Sequence, residues 1–137
     1  MAIPLFSSIM AKPLFRRSKP EVGIKLGKSS IRAELAKSSF AKAKGLMLRK
    51  TIDSGRGMLF DFGAETSPSM WMFGMLFPID MLWLDGGFRI VHIEKSCQPL
   101  RIWKIYTPKK KARYVLEVKS GFCNENGINE GQYASFC

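Results

Sequence analysis

Between Met70 and Leu84 the chain runs fifteen residues with a single ionisable side chain, Asp80. A membrane-spanning helix needs about 18 apolar residues, and Gly74 and Pro78 would interrupt any helix built on this run. The segment therefore belongs inside a packed core. Its two halves, Met70–Met75 and Ile79–Leu84, read as central strands that are apolar on both faces.

The flanking sequence supplies partners for such strands. Val22–Leu26 and Ile31–Leu35 alternate apolar with polar residues around Gly27-Lys28-Ser29-Ser30, a hairpin pattern. Ser38 or Ser39 can cap one short helix reaching about Met47. Gly57–Phe62 reads as the next strand, and Asp85-Gly86-Gly87 turns the chain into a strand over Phe88–Lys95. Arg101–Thr107 and Arg113–Val118 follow as strands, split by Pro108-Lys109-Lys110-Lys111. A glycine-rich turn over Asn124–Gly131 leads into a last strand, Gln132–Phe136. About nine strands and one helix predict a mainly β fold: an antiparallel β-sandwich of jelly-roll type, or a partly closed barrel.

Length and composition set the remaining bounds. At 137 residues and 46% apolar, the chain can bury a core without disulfides or a metal. Three cysteines, Cys97, Cys123 and Cys137, form no C-x-x-C pair, and the lone His92 leaves no ligand set for structural zinc. Reduced thiols and a cytoplasmic location are expected. The net charge of +11 is uneven: residues 1–56 hold 13 basic and 3 acidic side chains, whereas 57–137 hold 9 and 8.

Residues 1–20 read as a flexible basic tail ahead of a single domain, 21–137. The tail's apolar residues precede its basic ones, the reverse of a signal peptide, so an exported precursor is the lesser expectation. Ile3, Leu5, Phe6, Ile9, Leu14 and Phe15 give the tail an alternative role as a weak contact with a membrane surface.

Four blocks recur in a fixed order: Gly45-Leu46-Met47-Leu48-Arg49; Gly57-Met58-Leu59-Phe60-Asp61-Phe62; Trp71-Met72 with Pro78-Ile79-Asp80; and Leu116-Glu117 with Gly121. This arrangement resembles the small β-rich family called domain of unknown function 192. Its pattern runs GLM-x-R, GM-L-F-x-F, W-M-K-x-T-x-x-P-L-D, then L-E with a downstream glycine. The resemblance covers residues 22–136 and implies a jelly-roll-type β-sandwich and a candidate surface, but no reaction. After Trp71-Met72 the chain departs from the pattern, with Phe73, Gly74 and Met75 where the family carries lysine and polar residues.

The matched residues Arg49, Trp71, Met72, Asp80 and Glu117 form the candidate ligand-binding set. A guanidinium after a helix can fork onto a carboxylate or phosphate. The expectation here is instead that Arg49 pairs with Asp80 or Glu117 and pins the helix to the sheet. Two carboxylates could perform acid–base chemistry if close in space, but no catalytic residue is assigned. His92 and Cys97 have no spacing that brings them together as a nucleophile and base, and His92 is expected to face the same side as Phe88 and Ile90.

Two further patterns carry chemistry of their own. Six methionines lie between residues 47 and 81, and soft thioethers select Cu(I). Filling core gaps is their commoner use, so no metal or other cofactor is expected. Arg101, Trp103, Lys104, Lys109, Lys110, Lys111 and Arg113 interleave cations with an aromatic platform, as single-strand nucleic-acid binders do. No established nucleic-acid-binding signature accompanies them.

The reading favoured by the sequence is a noncatalytic ligand-binding or accessory module whose partner is a small molecule or protein. A basic nucleic-acid-associated protein, binding nonspecifically, is the alternative. A hydrolytic or metal-dependent enzyme comes third. The oligomeric state is not legible in the sequence.

Overall fold

The computed structural model describes residues 19–137. The first eighteen positions, and with them most of the expected tail and its membrane contact, lie outside the described residues. The elements run β1 (Glu21–Leu26), β2 (Ser29–Ala36), α1 (Ser39–Lys44), β3 (Arg56–Thr66), β4 (Met70–Trp71), β5 (Ile79–Leu84), β6 (Ile90–Cys97), β7 (Ile105–Tyr106), β8 (Ala112–Lys119), α2 (Phe122–Glu125) and β9 (Ala134–Phe136).

Seven strands form one curled sheet in the order β6-β5-β8-β3-β2-β1-β9. The last segment nearly closes it. Ala134–Phe136 pairs with β1, while Gly131, Gln132 and Ala134 exchange backbone hydrogen bonds of 2.8–2.9 Å with Phe88 and Ile90 at the opposite edge. One short stretch thereby covers both edges that would otherwise stand open to another chain. The partly closed barrel is thus the form the β-rich sequence takes.

All neighbouring strands in this sheet are antiparallel except β2 and β3, which run parallel from Arg32↔Arg56 to Ala36↔Phe60. A parallel pair needs a crossover, and α1 with the residues after it supplies one. Ser38 caps the helix, its Oγ accepting the Ala41 N–H at 3.0 Å. The helix is shorter than the sequence suggests and stops at Lys44, and Leu46 continues into the core. A second helix, the single turn α2, occupies part of the expected glycine-rich turn.

β5, most of β8 and the Gly57–Phe60 half of β3 are buried on both faces, which explains the apolar runs there. Leu59, Leu82, Leu84, Leu116 and Val118 point into the barrel with Ile24, Leu26 and Ile128. Met58, Phe60, Met81, Trp83 and Val115 point outward, under Leu46, Ile52, Met72, Met75, Phe77 and Tyr106. The outer layer is made of the α1 crossover and two irregular segments, residues 67–78 and 98–108.

Those two segments correct the sequence reading. Met70–Met75 is not a central strand, nor is Arg101–Thr107 a full one. Only Met70–Trp71 and Ile105–Tyr106 are extended, and they pair with each other as a separate two-stranded sheet. The cause is local: Gly74 takes φ +75, and a turn in which the Lys104 N–H donates to the Arg101 carbonyl curls the other segment. Met72, Met75 and Phe77 still bury themselves, so the apolar signal reported burial correctly and strand wrongly.

A candidate ligand-binding cleft

Two of the expected site residues lie on neighbouring strands, Asp80 on β5 and Glu117 on β8, and the register separates them. Asp80 lies opposite Val118, and Met81 lies opposite Glu117. Successive residues of a strand leave opposite faces, so Asp80 points to the barrel side and Glu117 to the outer layer. The two carboxylates cannot act as one acid–base pair.

Asp80 is buried and fully engaged. Its Oδ1 accepts the Ser96 N–H at 2.9 Å and its Oδ2 accepts the Cys123 N–H at 3.0 Å. Ser96 has φ +51 beside a register shift between β5 and β6, and Cys123 lies in the first turn of α2. One side chain thus ties a bulge to a helix, a structural duty that uses both its oxygens.

Arg49 pairs with neither Asp80 nor Glu117. Its guanidinium donates both arms to Glu34 on β2, at 2.7 and 2.8 Å. That fork holds the Glu34 carboxyl down to about 2, well under its ordinary range. The residue does pin the crossover to the sheet, as expected, but to a different strand.

Glu117 has a different environment. It is buried between Met58 on β3 and Met81 on β5, its direct cross-strand neighbours. Among the described residues no group hydrogen-bonds its Oε2. Burial alone pushes its carboxyl up to about 8, so at neutral pH it is mostly protonated and able to donate. An unpaired buried carboxyl costs about 1–3 kcal/mol, which marks this position as one that folding alone does not explain.

Above Glu117 opens a cleft of about 40 Å³, walled by Gly45–Met47 after α1 and by Met70, Trp71, Phe73 and Met75. A water needs about 10–15 Å³ of such accessible space, so the cleft admits a small polar group and leaves the rest of a ligand on the rim. The rim is aromatic: Trp71 and Phe73 stand exposed with ring centroids 5.3 Å apart. Gly74 holds the wall in place. A Cβ there would sit 2.6 Å from Met47 Cε, and the Gly74 carbonyl accepts the Leu48 N–H at 2.8 Å. Met72 is wholly buried beneath and lends support rather than a contact surface.

The structure therefore brings Glu117 and Trp71 together, adds Phe73, Met47, Met70 and Met75, and sets Arg49 and Asp80 apart from this cleft. The sequence contained a signal for Phe73 and Met75 in the departure at positions 73–75, and none for Met47 or Met70. It gave none for which side of the sheet each carboxylate takes.

The residues considered for nucleic acid divide similarly. Arg113 is held by Asp61 at 3.1 Å, and Lys109 by Glu130 at 2.9 Å. Lys110 and Lys111 stand exposed beside the same groove as Glu65, Asp85 and Glu130. Arg101, Trp103 and Lys104 form a separate exposed group. His92 lies opposite Trp83, and a second register shift between that pair and Leu84↔Ile90 turns it away from Ile90, so that it packs edge-on against the indole. The Cys97 thiol is buried, pushed up to about 12 chiefly by desolvation, and donates to the Glu94 carbonyl. All three cysteines are free.

Residues 22–136 match the family model DUF192, described as "Uncharacterized ACR, COG1430". The chain belongs to this family. It is 34% identical over 107 residues to a UPF0127 protein of Thermococcus kodakarensis, covering 77% of this chain and 64% of that protein. It is also 34% identical over 103 residues to one of Thermococcus gammatolerans, covering 75% and 65%. The match thus spans just under two thirds of these relatives' lengths. A solved structure from Sinorhizobium meliloti, described as a "putative transcription regulator", is similar with TM-score 0.83 and 27% identity, covering 88% of this chain and 97% of that one. A Novosphingobium aromaticivorans protein of unknown function shares the fold, with TM-score 0.79, 24% identity and 84% of each chain covered.

Against the DUF192 pattern, the departure after Trp71-Met72 now has a location. Phe73 and Met75, standing where the pattern has lysine and threonine, both line the cleft above Glu117. In this family member the 73–75 side of the cleft is apolar, while Lys42 and Lys44 line it from the α1 side.

Proposed function

We propose that the protein is a noncatalytic ligand-binding module and that its site is the cleft above Glu117. The reading rests on one observation: a buried carboxyl oxygen without a hydrogen-bond partner lies beneath an opening rimmed by exposed aromatic rings. The ligand it fits has an aromatic or aliphatic body to lie on Trp71 and Phe73. A single hydrogen-bond acceptor or amine enters the cleft. An acceptor receives a hydrogen bond from the protonated carboxyl, whereas an amine draws that proton across and forms an ion pair.

Benzamide and benzylamine probe these two cases by chemical-shift mapping on the full chain. Binding should move the amides of Gly45–Met47 and Trp71–Met75, and Trp71→Ala should weaken both probes. Glu117→Gln keeps a donor and should spare benzamide while weakening benzylamine about tenfold. Shifts that map elsewhere, or that survive Trp71→Ala unchanged, would remove the cleft as the site.

A further inference from the structure

The segments around the cleft mouth share a second property. Residues 37–52, 67–78 and 98–111 contain no acidic residue, while the first carries Lys42, Lys44 and Lys50 and the last Arg101 and Lys104. The same segments hold all but two of the large apolar side chains that stand exposed among the described residues. They are joined where Trp71 pairs directly with Ile105 across the β4–β7 sheet. Trp103 is 78% exposed and Leu100 83%, on the turns immediately before Ile105. Contiguous exposed apolar surface of this kind marks an interaction site.

We infer that this face docks onto an anionic lipid bilayer. Its composition separates the bilayer from other occupants. Indole rings settle at a membrane interface, aliphatic side chains enter the acyl boundary, and flanking cations meet the lipid headgroups. Single-stranded nucleic acid would use Trp71 and Trp103 for stacking but has no use for Leu100, Ile102 and Ile105. A second copy of this chain would bring cations against cations. Lys104, between the exposed Trp103 and Ile105 in sequence, lies over the Tyr106 ring, 4.8 Å from its centroid. The face shares Trp71 with the cleft rim, but Trp103 and Ile105 do not line the cleft, so substitutions there test the face by itself.

Co-sedimentation of the full chain with vesicles tests this directly. Phosphatidylcholine vesicles containing about a third phosphatidylglycerol should bind at least about tenfold better than pure phosphatidylcholine, and tryptophan emission should shift to the blue. Raising salt from about 0.1 to about 0.5 M should weaken binding without abolishing the apolar part. The exposed-site double variant W103A/I105S should lose about tenfold in vesicle binding while its thermal melt is unchanged. Since residues 1–18 remain in that variant, undiminished binding by it would overturn the inference and assign the attraction to the tail. Tighter binding to oligouridylate than to the anionic vesicles would overturn it in favour of nucleic acid. Concentration-dependent dimerisation abolished by the same variant would do so in favour of self-association. Each outcome leaves the benzamide and benzylamine test of the cleft to be decided separately.

Discussion

Asp80 and Glu117 lie on neighbouring strands one position out of register, and their side chains leave opposite faces of the same sheet. The first gives both its oxygens to backbone amides. The second keeps an oxygen buried without a partner. Two carboxylates that look equivalent in the sequence thus serve different ends, one holding the fold and the other flooring a cleft.

For Glu117 the consequence is a stability that falls as pH rises. Its folded carboxyl titrates at about 8 against an ordinary 4.5. Between those values the unfolded chain has released a proton that the folded chain still holds. Stability should therefore decline by up to about 1.4 kcal/mol per pH unit across that window and level off above it. Urea denaturation at intervals from pH 5 to pH 9 measures this. Glu117→Gln, which cannot ionise, should flatten the profile; an unchanged slope in that variant would place the titration elsewhere.

Removing the Asp80 carboxyl should behave quite differently. Asp80→Ala leaves the Ser96 and Cys123 amides without their acceptor and should cost about 3 kcal/mol at neutral pH. Hydrogen exchange should accelerate at those two amides ahead of the strand centres. Loss of stability without that local acceleration would argue against the clamp.

The Arg49–Glu34 fork predicts an acid-side effect. Because the Glu34 carboxyl is depressed to about 2, its contribution is full above about 4.5 and is lost as pH falls toward 2. Arg49→Lys keeps the charge but not the two parallel hydrogen bonds. NMR titration of Glu34 in that variant should move its midpoint back toward the ordinary glutamate value. A midpoint that stays at about 2 would credit Lys19, which lies 3.4 Å from Glu34, instead of the fork.

Thiol reactivity should be confined to one position. Cys97 and Cys123 are buried and both pushed up to about 12 by desolvation, whereas Cys137 is exposed. Native protein should release one equivalent of thionitrobenzoate from Ellman's reagent rapidly, and the other two only on denaturation. Rapid reaction of Cys97 would show that the outer layer over β5 and β6 opens readily.

Local pattern determined much of this molecule. The two-residue alternation of Val22–Leu26, the uninterrupted apolar run Ile79–Leu84 and the glycine turn at 85–87 each imply a strand or its end from neighbouring residues alone. A barrel-like β fold followed from them. Ser38 likewise announced the helix, because a cap is a contact over three residues. The position-by-position departure at 73–75 was also visible without coordinates.

What the tertiary structure decided were relationships set by register and by distant partners. Glu34, not Asp80 or Glu117, meets Arg49, because the parallel crossover brings β2 beside the end of the α1 segment. Register shifts opposite β5 turned His92 away from Ile90 and brought Ser96 to Asp80, and no residue type marks such shifts in advance. Burial was legible at Met72, Met75 and Phe77 while strand was not, since hydrophobicity reports removal from water but hydrogen-bond pairing depends on which backbone lies alongside. The side of the sheet taken by a carboxylate, and whether anything there satisfies it, is a property of the packed layers and not of the chain.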